Sequence, residues 1–299
     1  MKTSCPICLS GNHSRLFQAR DHHYGISGQW WIRECSACGT YFLEDPPPSD
    51  ELSQLYPQET YYSYSIPHPS ALKRFLHNLV GYSRNSGEPR FTRPGRVLDF
   101  GCGAGERLLE MRSQGWDCAG VEISSRARAV AREHGLDVRS EISGPNGFER
   151  GGFDYVRSNH SLEHVLDPGK VLKDMFDALK PGGTLFLGTP TVSSQSARIF
   201  GPHWWYLTPP LHAFMPSSTG LADLVRRSGF VVSKMRTHSD HAGIAGSLQI
   251  LLNRSTARRS NQGPIFAFKP FLVAGYWIAR LQDFFRVGDK LEIVAVKPR

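Results

Sequence analysis

The tightest constraint on this chain is one local pattern. The apolar run Arg96-Val97-Leu98-Asp99-Phe100 ends in Gly101-Cys102-Gly103-Ala104-Gly105, and a helix-like stretch, Glu106 to Gln114, follows at once. Strand, glycine turn and helix open a parallel βαβ unit, with glycines where a ligand must approach the backbone closely. The next strand, Asp117 to Val121, ends in Glu122, 21 residues after Gly101. An acid at that strand end can accept hydrogen bonds from both vicinal hydroxyls of a ribose. The dinucleotide fingerprint places a third glycine or alanine where this chain has Glu106, and an acid there would repel a pyrophosphate. The pattern therefore favours a nucleoside ligand without phosphates.

Six cysteines in 299 residues are too few for a disulfide scaffold, and four of them fall in pairs. Cys5-Pro6-Ile7-Cys8 and Cys35-Ser36-Ala37-Cys38 are C-x-x-C knuckles separated by 26 residues, which fits a tetrahedral four-thiolate zinc site. Gly39 suits the tight turn after the second knuckle, and Gln29 to Glu34 reads as the strand leading into it. A ribbon with so small a core needs its metal to fold, and four protein ligands leave no open position for catalysis. His13, His22 and His23 lie between the knuckles as substitute ligands. Pro46-Pro47-Pro48 ends the module. The expected organisation is a zinc ribbon over 1–46, a linker with N-terminal helices over 47–95 (including one from Ala71 to Tyr82), and the nucleotide-binding domain over 96–299.

At this point the chain resembles the class I S-adenosylmethionine-dependent methyltransferases. Val97 to Gly105 is similar to that family's first motif and Glu122 to its ribose-binding acid. Phe153-Asp154-Tyr155-Val156 resembles the fourth strand, and Ser158-Asn159-His160-Ser161-Leu162-Glu163-His164-Val165 the segment after it. Leu179-Lys180-Pro181-Gly182-Gly183-Thr184-Leu185 resembles the turn into the fifth strand, and Arg227 to Val232 the entry to the sixth. The closer resemblance is to a ubiquinone-biosynthesis-like branch found among polysaccharide and natural-product enzymes, whose members often carry a four-Cys module. The resemblance implies an α/β fold: a Rossmann-like seven-stranded sheet, mostly parallel, with the last strand (Leu291 to Lys297) antiparallel.

S-adenosylmethionine is then the expected cofactor, held by Asp99, Gly101, Cys102, Gly103, Glu122, Ile123, Ser158, Asn159 and His160, with structural zinc on Cys5, Cys8, Cys35 and Cys38. The loop Asp137 to Asn146 lacks the usual adenine-contacting Asp, leaving Glu141 or Ile142 for that place. Transfer from a sulfonium needs positioning and, for a hydroxyl acceptor, a base. His164, on the expected helix after the fourth strand, has a suitable unperturbed pKa. Glu163 is placed to orient it, contact substrate or help hold a divalent ion, as the resemblance allows. The loop 190–220 resembles a substrate lid, making His203 and His212 candidate contacts and its Trp and Tyr side chains either a sugar wall or packing.

The net charge of +8 is unevenly spread. Residues 226–299 carry 13 Lys/Arg against 4 Asp/Glu, and residues 1–60 carry 4 against 7. The basic part contains an insertion, 240–288, where Arg254, Arg258, Arg259 and Lys269 flank many aromatic and aliphatic residues. A helical pair is expected there, either packed over the site or meeting a membrane or a lipid-linked substrate. The longest apolar stretch, Phe271 to Ala279, is far short of the roughly 20 residues a spanning helix needs, and no apolar signal core follows Met1. The expectation is a cytoplasmic enzyme, peripheral to the membrane if at all, that O-methylates a sugar, glycan precursor or small metabolite. The alternatives are a sugar C-methyltransferase, an RNA methyltransferase and a non-catalytic cofactor-binding scaffold. The acidic zinc module and the lack of an Asn/Asp-Pro-Pro-Tyr segment make nucleic acid the weaker partner.

Overall fold

A computed structural model describes residues 4–55, 87–253, 265 and 269–299. Residues 56–86 of the expected linker, with the helix expected over Ala71–Tyr82, and Arg254, Arg258 and Arg259 of the insertion lie outside these residues.

The main sheet begins with the apolar run that the glycine turn closes, β4 (Arg96–Phe100). Before it in the chain come β1 (His13–Ala19), β2 (Trp30–Cys35), β3 (Tyr41–Leu43) and a short helix α1 (Ser49–Leu55). After it run α2 (Glu106–Ser113), β5 (Asp117–Val121), α3 (Ser125–Glu133), β6 (Asp137–Arg139), β7 (Phe153–Asn159), α4 (Pro168–Ala178) and β8 (Leu179–Pro190). The chain continues through α5 (Gln195–Phe200), β9 (Phe214–Met215), α6 (Ser218–Arg227), β10 (Val231–His238), α7 (His241–Asn253), α8 (Lys269–Phe284) and β11 (Lys290–Val296).

Seven strands form one sheet in the order β10-β11-β8-β7-β4-β5-β6. β4 to β8 pair in parallel, and β11 runs antiparallel to both β8 and β10. Alternation along β4 sends Val97 into one core, with Leu108, Tyr155 and Phe186, and Leu98 into the other, with Val156, Leu172 and Leu185. Helices cover both faces, which is why the parallel strands read as continuous apolar runs. Local signals set the helix starts. Ser124, Asp167 and Ser217 each accept a backbone N–H at the start of α3, α4 and α6, and Pro168 occupies the first turn of α4. This is the Rossmann-like α/β fold with a reversed last strand expected from the sequence.

A second, four-stranded sheet has the order β1-β2-β3-β9. Its fourth strand comes from the expected lid: Tyr41 pairs with Met215 and Phe42 with Phe214. Ser217 Oγ donates to Cys38 O in the second knuckle, and Arg227 donates to Ile7 O in the first. The ribbon expected over 1–46 thus shares a strand with the lid. One local expectation is corrected. His164 lies not on an α-helix but in a single 3₁₀ turn, Leu162–His164, because Pro168 and its cap Asp167 start the helix later.

Candidate active site and metal centre

The cofactor cradle is built at the carboxyl ends of β4, β5 and β7, where open α/β sheets bind ligands. Gly101 sits at φ +75°, and a Cβ there would come within 2.0 Å of Ser161 Oγ. Gly105 sits at φ +89°, with Leu136 Cδ1 only 2.3 Å from the same imagined atom. A Cβ at either position would collide with the protein's own side chains in a backbone conformation that favours glycine, so both stay glycine. Glu122 stands beside it: Oε2 accepts Gly103 N–H at 2.9 Å and Oε1 accepts Ser124 N–H at 2.8 Å. Ile123 next to it is an apolar side chain left 59% exposed. Ser158, buried at the end of β7, has a hydroxyl with no hydrogen-bond partner among the described residues. Asn159 closes against Gly188, where a Cβ would lie 2.2 Å from its Oδ1.

Cys102 reaches the site by its backbone alone. Its thiol packs where a Cβ on Gly120 would be, and burial raises its pKa well above the ordinary value. Ile142 lies in the core and Glu141 folds over Gly144, accepting Asn146 N–H at 3.3 Å.

Beneath the turn lies a chain of charges that sequence reasoning did not find. Asp99, 2% exposed, accepts Arg157 Nη1 at 2.5 Å; Arg157 also donates to Glu88 Oε1, from Nε at 3.1 Å and from Nη2 at 2.8 Å. Glu88 Oε2 accepts from Arg107, in the first turn of α2, at 2.6 Å. Burial raises the Asp99 pKa to about 6, with Arg157 opposing that shift. Asp99 Oδ1 has no hydrogen-bond partner among the described residues. A glycine turn at the end of β4, an acid at the end of β5 and two orphaned buried oxygens fit S-adenosylmethionine.

On the other side of β7, Glu163 is fully buried. Its Oε2 accepts Thr189 Oγ1–H at 2.9 Å, and Oε1 lies 3.4 Å from His160 Nδ1. Burial opposes ionisation of Glu163, yet its pKa is held down to about 2, with the hydrogen bond to His160 the largest of the causes that lower it. His164 Nδ1 lies 2.9 Å from Leu211 O and His212 Nδ1 lies 2.8 Å from Tyr206 O. A carbonyl only accepts, so in each neutral ring Nδ1 carries the proton and Nε2 the lone pair. The two rings meet edge to face at 4.7 Å. Burial lowers both pKa values, that of His212 to about 3, and keeps the rings neutral. Ligand atoms of Glu163, His164 and His212 lie within 4.8 Å of one another, close enough to share a cation.

His160 takes φ +55°, a conformation uncommon outside glycine, and stacks on Tyr206 at 6.4 Å. Of the lid aromatics, Trp204 and Tyr206 are buried in one core cluster, Trp204 Nε1–H donating to Asp289 at 3.0 Å and Tyr206 O–H to Asp240 at 2.9 Å. Trp205 packs on His23, and Tyr206 also stacks on His160. His203 lies against His22, 5.9 Å between ring centres.

Sγ atoms of Cys5 and Cys38 are 3.6 Å apart and those of Cys8 and Cys35 3.4 Å, all four lying within 4.8 Å of one another. The edge of a tetrahedron with 2.3 Å zinc–sulfur bonds is about 3.8 Å, so the four thiols fit a zinc ion. The hydrogen bond between Cys5 and Cys38 lowers the Cys38 pKa to about 4 and raises that of Cys5, so a metal taking both sulfurs would displace a proton. The three histidines weighed as substitutes point elsewhere: His13 to Arg33, His22 to His203, His23 to Trp205.

With this geometry in place, comparison with known proteins is decisive. A family profile described as "Methyltransferase domain" matches residues 68–234. The chain belongs to the methyltransferase-domain family. Within it, a ubiquinone biosynthesis O-methyltransferase of Bordetella avium is 36% identical over 156 residues, covering 47% of this chain and 64% of that protein. The same-named protein of Albidiferax ferrireducens is 32% identical over 109 residues, covering 34% of this chain and 43% of that protein. The chain thus spans about half the length of the curated relatives it matches. Among solved structures, the [4+2]-cyclase SpnF aligns at TM-score 0.50 and 20% identity, covering 85% of this chain and 97% of that one. Haemonchus contortus phosphoethanolamine N-methyltransferase 2, in complex with S-adenosyl-L-methionine, aligns at TM-score 0.50 and 19% identity, covering 87% and 62%. These structures show the class I S-adenosylmethionine-dependent methyltransferase fold and no more.

Proposed function

We propose that this protein binds S-adenosylmethionine and transfers its methyl group to an oxygen of a small molecule, with a sugar, a glycan precursor or a similar hydroxyl metabolite as acceptor. The bound cofactor would supply an activated methyl group. The glycine turn would pass under the nucleoside and Glu122 would hold the ribose hydroxyls. Ser158, Asn159 and His160 would face the methionine end. The likeness to named O-methyltransferases supports oxygen as acceptor.

The observation that carries the reading is the cluster of Glu163, His164 and His212 at the carboxyl edge of β7, beside the cradle. His164 is the proposed base. Its Nδ1–H is spent on Leu211 O, which presents the Nε2 lone pair for the acceptor proton, and burial keeps the ring neutral. Glu163 would stabilise the imidazolium once formed, and His212 would line the acceptor side. Four cysteine thiolates would hold a structural zinc that stiffens the ribbon and, through β9, the loop bearing His212.

The test uses purified protein, methyl-labelled S-adenosylmethionine and nucleotide-sugar and phenol acceptors, comparing wild type with His164→Gln. Base catalysis is worth roughly 10²–10⁴-fold, so kcat should fall by that order while cofactor affinity holds. Label appearing on nitrogen or carbon, or undiminished turnover by the variant, would overturn the reading.

A further inference from the structure

We propose that α8, with its neighbour α7, is a foot that docks this protein on the surface of an anionic lipid bilayer. The proposal goes beyond the methyl-transfer reading and does not depend on it. One side of α8 buries Gly275, Ala279 and Gln282, spaced 4 and 3 residues apart, and the helix packs on α7. A different side, continued one residue past the helix end, carries Trp277 (68% exposed), Ile278 (41%), Leu281 (58%), Phe284 (79%) and Phe285 (62%). Their spacing of one, three and four residues draws a single stripe along the helix. Five large apolar side chains in one exposed stripe mark an interaction surface rather than ordinary scatter.

Charge selects the occupant. Residues 241–286 carry six Lys/Arg and one acid, Asp283. Arg286 follows the stripe directly and is exposed, as is Arg198 on α5, which lines a common pocket with Phe285. Arg280 projects from the same helix over the Tyr276 ring. Self-association through this face would set two basic surfaces against each other, which costs affinity. An aromatic and aliphatic stripe bordered by arginines suits the headgroup boundary of an anionic membrane, where each cation strengthens binding about fivefold. The helix has 16 residues and is about 24 Å long, too short to span a hydrocarbon core of about 30 Å. It would therefore lie in the plane of the surface. No helix among the described residues is long and apolar enough to cross a membrane.

The experiment is co-sedimentation of the full chain with sucrose-loaded vesicles, either phosphatidylcholine alone or phosphatidylcholine with an equal part of phosphatidylglycerol. Binding should favour the anionic vesicles by at least about tenfold and weaken as salt rises. The double variant Phe284→Glu, Phe285→Glu should lose it, and so, more mildly, should Arg286→Gln. Cofactor binding by calorimetry checks that each variant is folded, and its loss in wild type as well would count against the methyl-transfer reading alone. Equal or absent binding to the two vesicle types overturns the proposal. So does a concentration-dependent dimer in sedimentation velocity that the double variant abolishes, which would assign the stripe to a second copy.

Discussion

Asp99 and Arg157 face each other across the β4–β7 ladder and are joined by a buried 2.5 Å ion pair under the cofactor turn. Arg157 is also a partner of Glu88, which Arg107 shares, so two guanidiniums compensate two carboxylates away from water. Arg157→Met should destabilise the fold by about 3–5 kcal/mol, since it leaves buried charge uncompensated. Adding Glu88→Gln should recover part of that loss. Urea denaturation of the two variants measures both, and a single variant as stable as wild type would show that the pair contributes nothing.

The ribose acid gives a second expectation. Glu122 would offer charged hydrogen bonds to two hydroxyls, each worth about 1.5–3 kcal/mol. Glu122→Ala should weaken S-adenosylmethionine binding by roughly two orders of magnitude or more on that basis. It should lower melting of the ligand-free protein by only a few degrees, because its partners there are two backbone N–H groups, of buried Gly103 and half-buried Ser124. Isothermal calorimetry decides it; unchanged affinity would place the nucleoside elsewhere.

The four thiols imply a stoichiometry. Atomic emission on freshly purified protein should find one zinc per chain, and Cys38→Ser should lower it. Because Ser217 Oγ donates to Cys38 O, loss of metal should also loosen the lid strand. Amide exchange at Phe214 and Met215 should therefore quicken on chelation while that at Leu98 does not. Identical exchange with and without metal would uncouple ribbon from lid.

A pH effect follows from His238, whose Nδ1 lies 3.3 Å from Glu292 Oε1. Burial first, then Lys290 and Arg236, push its pKa down to about 3. The unfolded ring titrates near 6.5, so below that pH the unfolded chain takes up a proton that the folded chain refuses. Stability from the neutral ring is thus complete above about pH 6.5 and falls as pH drops, by about 2 kcal/mol at pH 5. His238→Gln should flatten this part of the melting curve between pH 7.5 and 5. Parallel curves for the two proteins would show that the ring titrates normally in the fold.

What could be read beforehand was what neighbours in sequence encode. The glycine turn, Glu122 and the C-x-x-C knuckles each act over a few residues, and their types state their purpose. The segment after β7 also declared itself, although its helix proved to be one 3₁₀ turn stopped by the Asp167–Pro168 start signal. The charge chain under the cradle was hidden because it depends on strand register. Glu88 and Arg157 are 69 residues apart, and nothing in either neighbourhood announces the other. The approach of His212 to Glu163 needed the path of a long loop, and β9 is too short, at two residues, to leave a periodic trace. Trp204 and Tyr206 show a similar limit: their types suit a binding wall and a core alike, and only the fold shows that both are buried.

The borrowed strand β9 also imposes an order of assembly. When the knuckles leave the ribosome, Phe214 and Met215, which complete their sheet, have yet to be translated. The ribbon's edge, β3, must wait uncovered for more than half of the polypeptide, and closing so long a loop is entropically slow. A metal ion captured early would hold β1 to β3 in register through that delay. On this account the thiolate cluster is as much a temporary clamp for the nascent chain as a permanent fastening of the finished enzyme.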